Sequence, residues 1–350
     1  MQKIAMTKTL YRLSIICLGC TMLVMLAGSV VRMTGSGMGC PDWPKCFGYY
    51  IPPTDISTLT WEGGREFKKG NIIIRDEALF VAQRSFTAGE DFNMANWAPY
   101  TKHDYAIFNP VHTWVEFINR LIGALTGIPV LLLALLSLKL IRRDPVVTVA
   151  AFLGLILLGF EAWLGKLVVD GNLVPNQITY HMFGALGLVA LFTFIVVRLK
   201  PFDLSFRSRR RKSTVVWGAI GIGLLLVQIF LGTGVREEVD AIGKASLLNR
   251  NDWIEALSVT FKIHRTFSLA VIGVLGFFAL RLVRTRLIST WPRILLVLLI
   301  AEVLVGMGLA YLKMPAALQP IHLMFAVFDF ALALFLLLIY LRKTTTKSAI

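Results

Sequence analysis

Residues 26–32 read LAGSVVR and residues 230–236 read FLGTGVR. Each stretch closes a long apolar run, and Gly28 with Gly232, Ser29 with Thr233, Val31 with Val235 and Arg32 with Arg236 fall in register. The correspondence continues outward. Ile118-Asn119-Arg120 opens one apolar run and Ile263-His264-Arg265 opens another; Glu161 and Gly165 match Glu302 and Gly306; His181 and His322 each begin a run. The chain therefore reads as a tandem duplication of a four-helix unit. An even number of helices per unit makes the repeats parallel, related by an axis along the membrane normal.

Membrane residence follows from composition. The 350 residues are 56% hydrophobic and only 16% charged, with a mean hydropathy of +0.69, which excludes a soluble globular domain, a disordered chain, collagen and a coiled coil. Apolar runs of about 20 residues, the length that crosses a ~30 Å hydrocarbon core, lie near 13–31, 121–141, 146–169, 178–197, 214–235, 266–283, 294–312 and 321–340. The first has the outline of a cleaved signal peptide, with Lys3, Lys8 and Arg12 ahead of it and Ala27-Gly28-Ser29 at its end. Its recurrence inside the chain makes it a span instead. The predicted fold is an all-α polytopic membrane protein, with eight transmembrane helices arranged as two parallel-repeat four-helix bundles. Residues 1–200 form the first bundle, with an extended extracytoplasmic loop over about 32–115, and 201–350 form the second.

The formal charge of +15 is a topology signal. One set of connections carries Arg142, Arg143, Arg207, Arg209, Arg210, Arg211 and Lys212, with Asp144 and Asp203 as its acids, while the other set mixes both signs. The positive-inside rule places the basic side and both termini in the cytoplasm. The run at 207–212 then anchors on the anionic lipid of the bilayer, and no nucleic acid is involved.

Three of the five His begin helices, and the other two, His103 and His112, lie in the outer loop. Asn119, His181, His264 and His322 share one depth near the extracytoplasmic end, so each half offers one polar residue from each of two helices. A four-helix bundle holds a cofactor in its core in this way. His264 and His322 suit bis-imidazole ligation of a heme iron, with Arg265, and Arg120 at the matching place, supplying positive charge for the propionates. Zinc also favours imidazole, but it wants a third or fourth ligand beside these two. In the first half Asn119 replaces the matching His, and Glu116, one turn earlier, has Phe261 as its counterpart. One His ligand at most, His181, then faces an open side with a carboxylate nearby. The symmetric half reads as electron transfer and the asymmetric half as catalysis by Glu116; a carboxylate stabilising the first turn of a helix begun near Pro110 is the bland alternative. Glu161 and Glu302, carboxylates inside spans, mark polar sites facing a bundle interior. Asp329 has no matching acid.

The first outer loop opens MTGSGMGCPDWPKCFGYYIPP at residues 33–53, rich in Gly and Pro and hence in turns. Cys40 and Cys46 bracket PDWPK on the oxidising side, where a disulfide persists; Cys17 and Cys20 lie in the first span as free thiols. The stretch VRMTGSGMGCPDWPKCFGYYIPP resembles the signature of the heme A synthase family, and the ExxxR frame of Glu116 to Arg120, IHR at 263–265, His181 and His322 also fall where that family's motifs do. The resemblance covers all eight spans. It implies oxidation of the C8 methyl group of heme O to the formyl group of heme A for terminal oxidase assembly. It further implies heme b on His264 and His322, heme O as substrate with His181 as ligand, Glu116 as the important loop-proximal glutamate, and Cys40 with Cys46 as the outer cysteine pair. The heme O synthase and a quinone or other electron acceptor are the implied partners, and the plasma (inner) membrane is the implied location. Asn119 departs from the usual His of the ExxHR motif, and the second cysteine pair usual between spans five and six is missing. The long segment from about 54 to 110 is expected to fold as a small cap. Two other classes compete: a membrane b-type cytochrome that passes electrons from quinol without altering heme, and a transporter, which parallel repeats permit but which places its site near the midplane.

Overall fold

The computed structural model describes residues 2–101, 107–170, 177–200, 212–245, 249, 252–284 and 290–342. His103 and the basic residues Arg207, Arg209, Arg210 and Arg211 lie outside them. In chain order the helices are α1 (Gln2–Met33), α2 (Pro110–Ser137), α3 (Pro145–Asp170), α4 (Gln177–Leu199), α5 (Lys212–Ala245), the single turn α6 (Trp253–Ala256), α7 (Val259–Arg284), α8 (Thr290–Tyr311) and α9 (Leu318–Arg342). All but α6 are long and apolar enough to cross a membrane, eight among the described residues. Hydrocarbon offers no partner to a backbone N–H or C=O, so segments this apolar satisfy those groups internally as helices. The protein is a multi-pass membrane protein, and each predicted span coincides with one of these helices. Two helices begin earlier than the apolar runs alone indicate: α2 at Pro110 rather than 121, α7 at Val259 rather than 266. Glu116, Asn119, Arg120, His264 and Arg265 are therefore all helical.

The start of α2 has a local cause. The Asn109 side-chain oxygen accepts from the Val111 and His112 N–H groups at 3.0 and 3.3 Å, and Pro110 occupies the first helical position, where its missing N–H costs nothing. Glu116 consequently sits in the second turn. The first-turn role considered for it is corrected, because the helix-terminal field falls off within one turn.

Contacts sort the chain into two compact units. One comprises Met1–Leu26, Leu125–Gly159 and Met182–Ile350, the other Ala27–Ala124 and Phe160–His181. Within the first, α5 packs on α7, α7 on α8, α8 on α9 and α9 back on α5, closing a ring of four helices. Its core runs through Leu225, Leu275, Phe278, Leu299 and Phe330. A further core joins Leu10 and Cys17 of α1, Val130 and Leu133 of α2, Val147 and Ala151 of α3 and Phe192 and Ile195 of α4. Between helices of equal apolarity the gain comes from close packing, so small residues mark the contacts. On α5, Gly218 and Gly221 are seated against Phe278 and Leu275 of α7; a Cβ at Gly221 would come within 2.5 Å of Leu275.

In the second unit, part of the α1–α2 connection is folded, with short strands that the helical pattern elsewhere did not foreshadow. The order β2-β3-β5 makes an antiparallel sheet from β2 (Ile72–Arg75), β3 (Ala78–Ala82) and β5 (Trp97–Pro99), and β1 (Glu66–Phe67) pairs with β4 (Phe86–Thr87). Ile72 enters a core with Cys40, Cys46, Phe47 and Leu59, while Ile73 enters another with Phe67, Ala82 and Trp97. Successive strand residues point to opposite faces. The run Ile72-Ile73-Ile74 is continuous rather than alternating because both faces are covered.

Enlarging Gly221 tests the close α5–α7 approach. Gly221→Val overpacks a filled core and is expected to cost about 1–3 kcal/mol, read as a lower unfolding temperature in detergent with the helix content retained before melting.

Candidate functional site

Two clusters of polar side chains form at the positions the repeat singles out. In the ring of α5, α7, α8 and α9, the imidazoles of His264 and His322 have ring centroids 6.3 Å apart with planes at 87°. A metal–imidazole bond of about 2.0 Å, with roughly 1.1 Å from nitrogen to ring centre on each side, spaces two axial rings by about 6 Å. The pair thus has the separation that one shared iron requires. Among the described residues no three His, Cys, Asp or Glu converge as a bare metal site.

Each imidazole has room because a glycine faces it. A Cβ at Gly232 would lie 3.0 Å from His264, and one at Gly306 would lie 3.2 Å from His322. The Gln228 amide, one turn before Gly232, donates to the His264 carbonyl at 3.0 Å. His322 Nδ1 lies 3.3 Å from Glu302 Oε1, within ion-pair range but off the line of a straight hydrogen bond. Arg265 is exposed, its guanidinium 5.9 Å over the Phe261 ring. Nearby, Arg236 pairs with Asp240 at 2.7 Å and with the Gln319 side chain. Asp329, two turns beyond His322 on α9, is wholly buried, and neither of its oxygens has a hydrogen-bond partner.

The second unit holds the other cluster. A Cβ at Gly28 would meet Asn119 Oδ1 at 3.8 Å, and one at Gly165 would meet His181 at 4.0 Å. Equivalent glycines thus face equivalent residues in both clusters. His181 Nδ1 lies 2.6 Å from Glu161 Oε2, again off-axis for a hydrogen bond. Asn119 Oδ1 is buried without a partner.

Glu116 lies on α2, four residues before Arg120. It is buried, Oε1 pairs with Arg120, and Oε2 accepts the Cys40 backbone N–H at 3.0 Å. Arg120 also donates to the carbonyls of Asp42 and Lys45 at 2.7 and 2.9 Å. Helix α2 therefore grips the loop closed by the Cys40–Cys46 disulfide. Thr113 adds a hydrogen bond to the Gly39 carbonyl at 2.8 Å, and Gly39 lies so close to the backbone of His112 and Thr113 that a Cβ would come within 2.5 Å of it. Tyr100 donates to the Pro41 carbonyl at 2.8 Å. Inside the loop, Asp42 accepts the Gly48 N–H at 2.9 Å; burial holds its carboxyl above the usual aspartate range despite that bond and Arg120. Cys17 and Cys20 are free. The roles of Asp42, Thr113 and Gln228 escaped the sequence reading, since single polar residues carry no spacing signal.

Comparison with known proteins matches the chain to the COX15-CtaA family, described as cytochrome oxidase assembly protein, over residues 11–69 and 99–335. Those ranges include His181, His264, His322, Glu116, Asn119, Cys40 and Cys46; the intervening 70–98 contain β2, β3 and β4. A heme A synthase of Shewanella oneidensis is 25% identical over 240 residues, 68% of this chain and 61% of that protein, so the match spans less than two thirds of the relative. Heme A synthases of Flavobacterium johnsoniae and Wolbachia pipientis wMel are 25% and 22% identical, over 89% and 94% of this chain and 92% of each relative.

The grip of α2 on the loop is open to measurement by hydrogen exchange. Glu116→Ala leaves the buried Cys40 N–H without its acceptor, a loss of about 1–3 kcal/mol, so exchange at that amide should accelerate roughly 10- to 100-fold. Unchanged exchange would show that the carboxylate does not hold the loop.

Proposed function

The chain belongs to the COX15-CtaA family of cytochrome oxidase assembly proteins, and on that premise we propose that it is a heme A synthase, an oxidoreductase that converts heme O to heme A. The substrate's C8 methyl group becomes a formyl group, and the product serves terminal oxidase assembly. The observation that carries this reading is the inequality of two otherwise matching sites. One presents the imidazoles of His264 and His322 at 6.3 Å, the other the single imidazole of His181 and, at the position matching His264, the amide of Asn119.

In this reading residues 201–350 form the heme b half. His264 and His322 would hold the iron, and Arg265, which is exposed, would supply positive charge for the propionates. Bound there, heme b supplies one-electron transfer. The donor set fits: two imidazoles at the required spacing, glycines opposite both, and no thiolate competing. Residues 1–200 take heme O. His181 is its ligand, and Asn119, a hydrogen-bond donor and acceptor but a poor metal ligand, leaves the other face accessible. Glu116, one turn from Asn119, is the acid–base residue, kept in place by Arg120 and the Cys40 N–H; Arg120 supplies the balancing positive charge. A quinone or other acceptor removes the electrons, and a heme O synthase supplies the substrate. The basic connections put the termini in the cytoplasm and the strand-bearing loop outside the plasma membrane, where the Cys40–Cys46 disulfide stays oxidised. A b-type cytochrome that leaves heme unaltered accounts for His264 and His322 but not for the second, unequal site.

Pigment extraction decides between them. Protein purified after co-expression with a source of heme O should yield hemes B, O and A; heme B alone would leave the plain cytochrome. His264→Ala or His322→Ala is expected to remove the low-spin b-type signal and abolish activity. Asn119→His should convert a high-spin substrate signal to a low-spin one, checked by paramagnetic resonance with heme O bound. A wild type already low-spin through two axial imidazoles would end the open-face assignment and make His112 the next residue to substitute.

A further inference from the structure

The carboxylates inside the spans have a job that the heme A synthase reading does not assign. Helix α3 carries EAWLG at residues 161–165 and α8 carries EVLVG at 302–306. Glutamate and glycine four apart lie on the same helix face, one turn from each other. In both places the glycine leaves the space an imidazole occupies, and the glutamate reaches the Nδ1 of that same imidazole: Gly165 and Glu161 for His181, Gly306 and Glu302 for His322. A carboxylate within an apolar span is costly without a partner. Glu161 is 5% exposed, and its nearest ionisable neighbour is the His181 ring at 2.6 Å. The arrangement recurs in two clusters built from different helices, so an accidental contact is a poor explanation.

Resting on the ligand assignment above, we propose that Glu161 and Glu302 are positioning residues for the axial histidines. Each carboxylate keeps the proton of its imidazole on Nδ1 and turns the ring so that Nε2 presents its lone pair to the iron. Metal-bound histidines commonly use such a partner to fix the tautomer and strengthen the ligand as an electron donor. The opposite ligand position lacks one. His264 is served by Gly232 and by Gln228, which binds its backbone carbonyl, and among the described residues no carboxylate pairs with its Nδ1 as Glu302 does with that of His322. The two axial ligands of heme b are thus unequal donors, with His322 the stronger, and Glu302 lowers the reduction potential by favouring the oxidised iron.

Redox titration of purified holoprotein carrying Glu302→Gln tests this. Glutamine keeps an acceptor for Nδ1 but removes the charge, so the low-spin spectrum should persist while the reduction equilibrium shifts about tenfold toward the reduced form, ~59 mV upward for one electron. An unmoved potential overturns the proposal. Should Glu302→Gln yield no folded holoprotein, Glu302→Asp retains the charge but shortens its reach; a smaller upward shift is expected, and none again overturns it. His322→Ala addresses the ligation itself. A retained low-spin signal there defeats the functional reading, whereas its loss together with an unmoved Glu302→Gln potential defeats only the role of the carboxylate.

Discussion

An imidazole stands inside a bundle of apolar helices only where the facing helix gives up its side chain. Three glycines meet that condition, Gly165 opposite His181, Gly232 opposite His264 and Gly306 opposite His322, and Gly28 takes the matching place opposite the Asn119 amide. Each fixes a rotation and a depth for two helices at once, because the glycine must lie level with the ring it admits. Closely packed interiors tolerate little error in such seats. The spacing of the rings, the placing of the nearby carboxylates and the closure of the ring of α5, α7, α8 and α9 all presuppose them.

The same constraint explains how two similar clusters come to differ. A ring set against glycine is insensitive to what lies one turn away on its own helix, so that position is free to diverge. In the second half it is Phe261, and Arg265 lies over its face. In the first it is Glu116, and the i,i+4 partner Arg120 is drawn into an ion pair and onto two loop carbonyls. One substitution of a carboxylate for a ring turns an exposed arginine into the anchor of a loop.

Much of this was legible in the sequence. The eight spans follow from run length, since hydrocarbon permits little else, and the candidate ligands from their repetition at equal depth. What stayed hidden has physical reasons. The early starts of α2 and α7 depend on residues that are not apolar, and run length cannot see those; Asn109 and Pro110 were the available signal for α2. The strands at residues 66–99 are short and form two small sheets, and in β2 Ile72 and Ile73 face different cores, so alternation, the usual strand signal, is absent there. The Cys40 N–H that Glu116 accepts lies in a loop 76 residues away in sequence, and periodicity carries no information across that distance. Glu161 and Glu302 were conspicuous as carboxylates inside spans, but which atom they reach depends on the rotation of a neighbouring helix.

The contact between Glu116 and the Cys40 amide has a consequence for synthesis. A ribosome delivers Cys40 and Cys46 well before α2 exists, so the loop is first made without the carboxylate and guanidinium that later hold it. The two cysteines are six positions apart, close enough for their thiols to meet in the nascent chain with no help from the rest of the fold. The order of events is then set by the order of the chain. Oxidation can close the loop first, and the arrival of α2 converts a small independent ring into a fixture of the helix that carries Asn119.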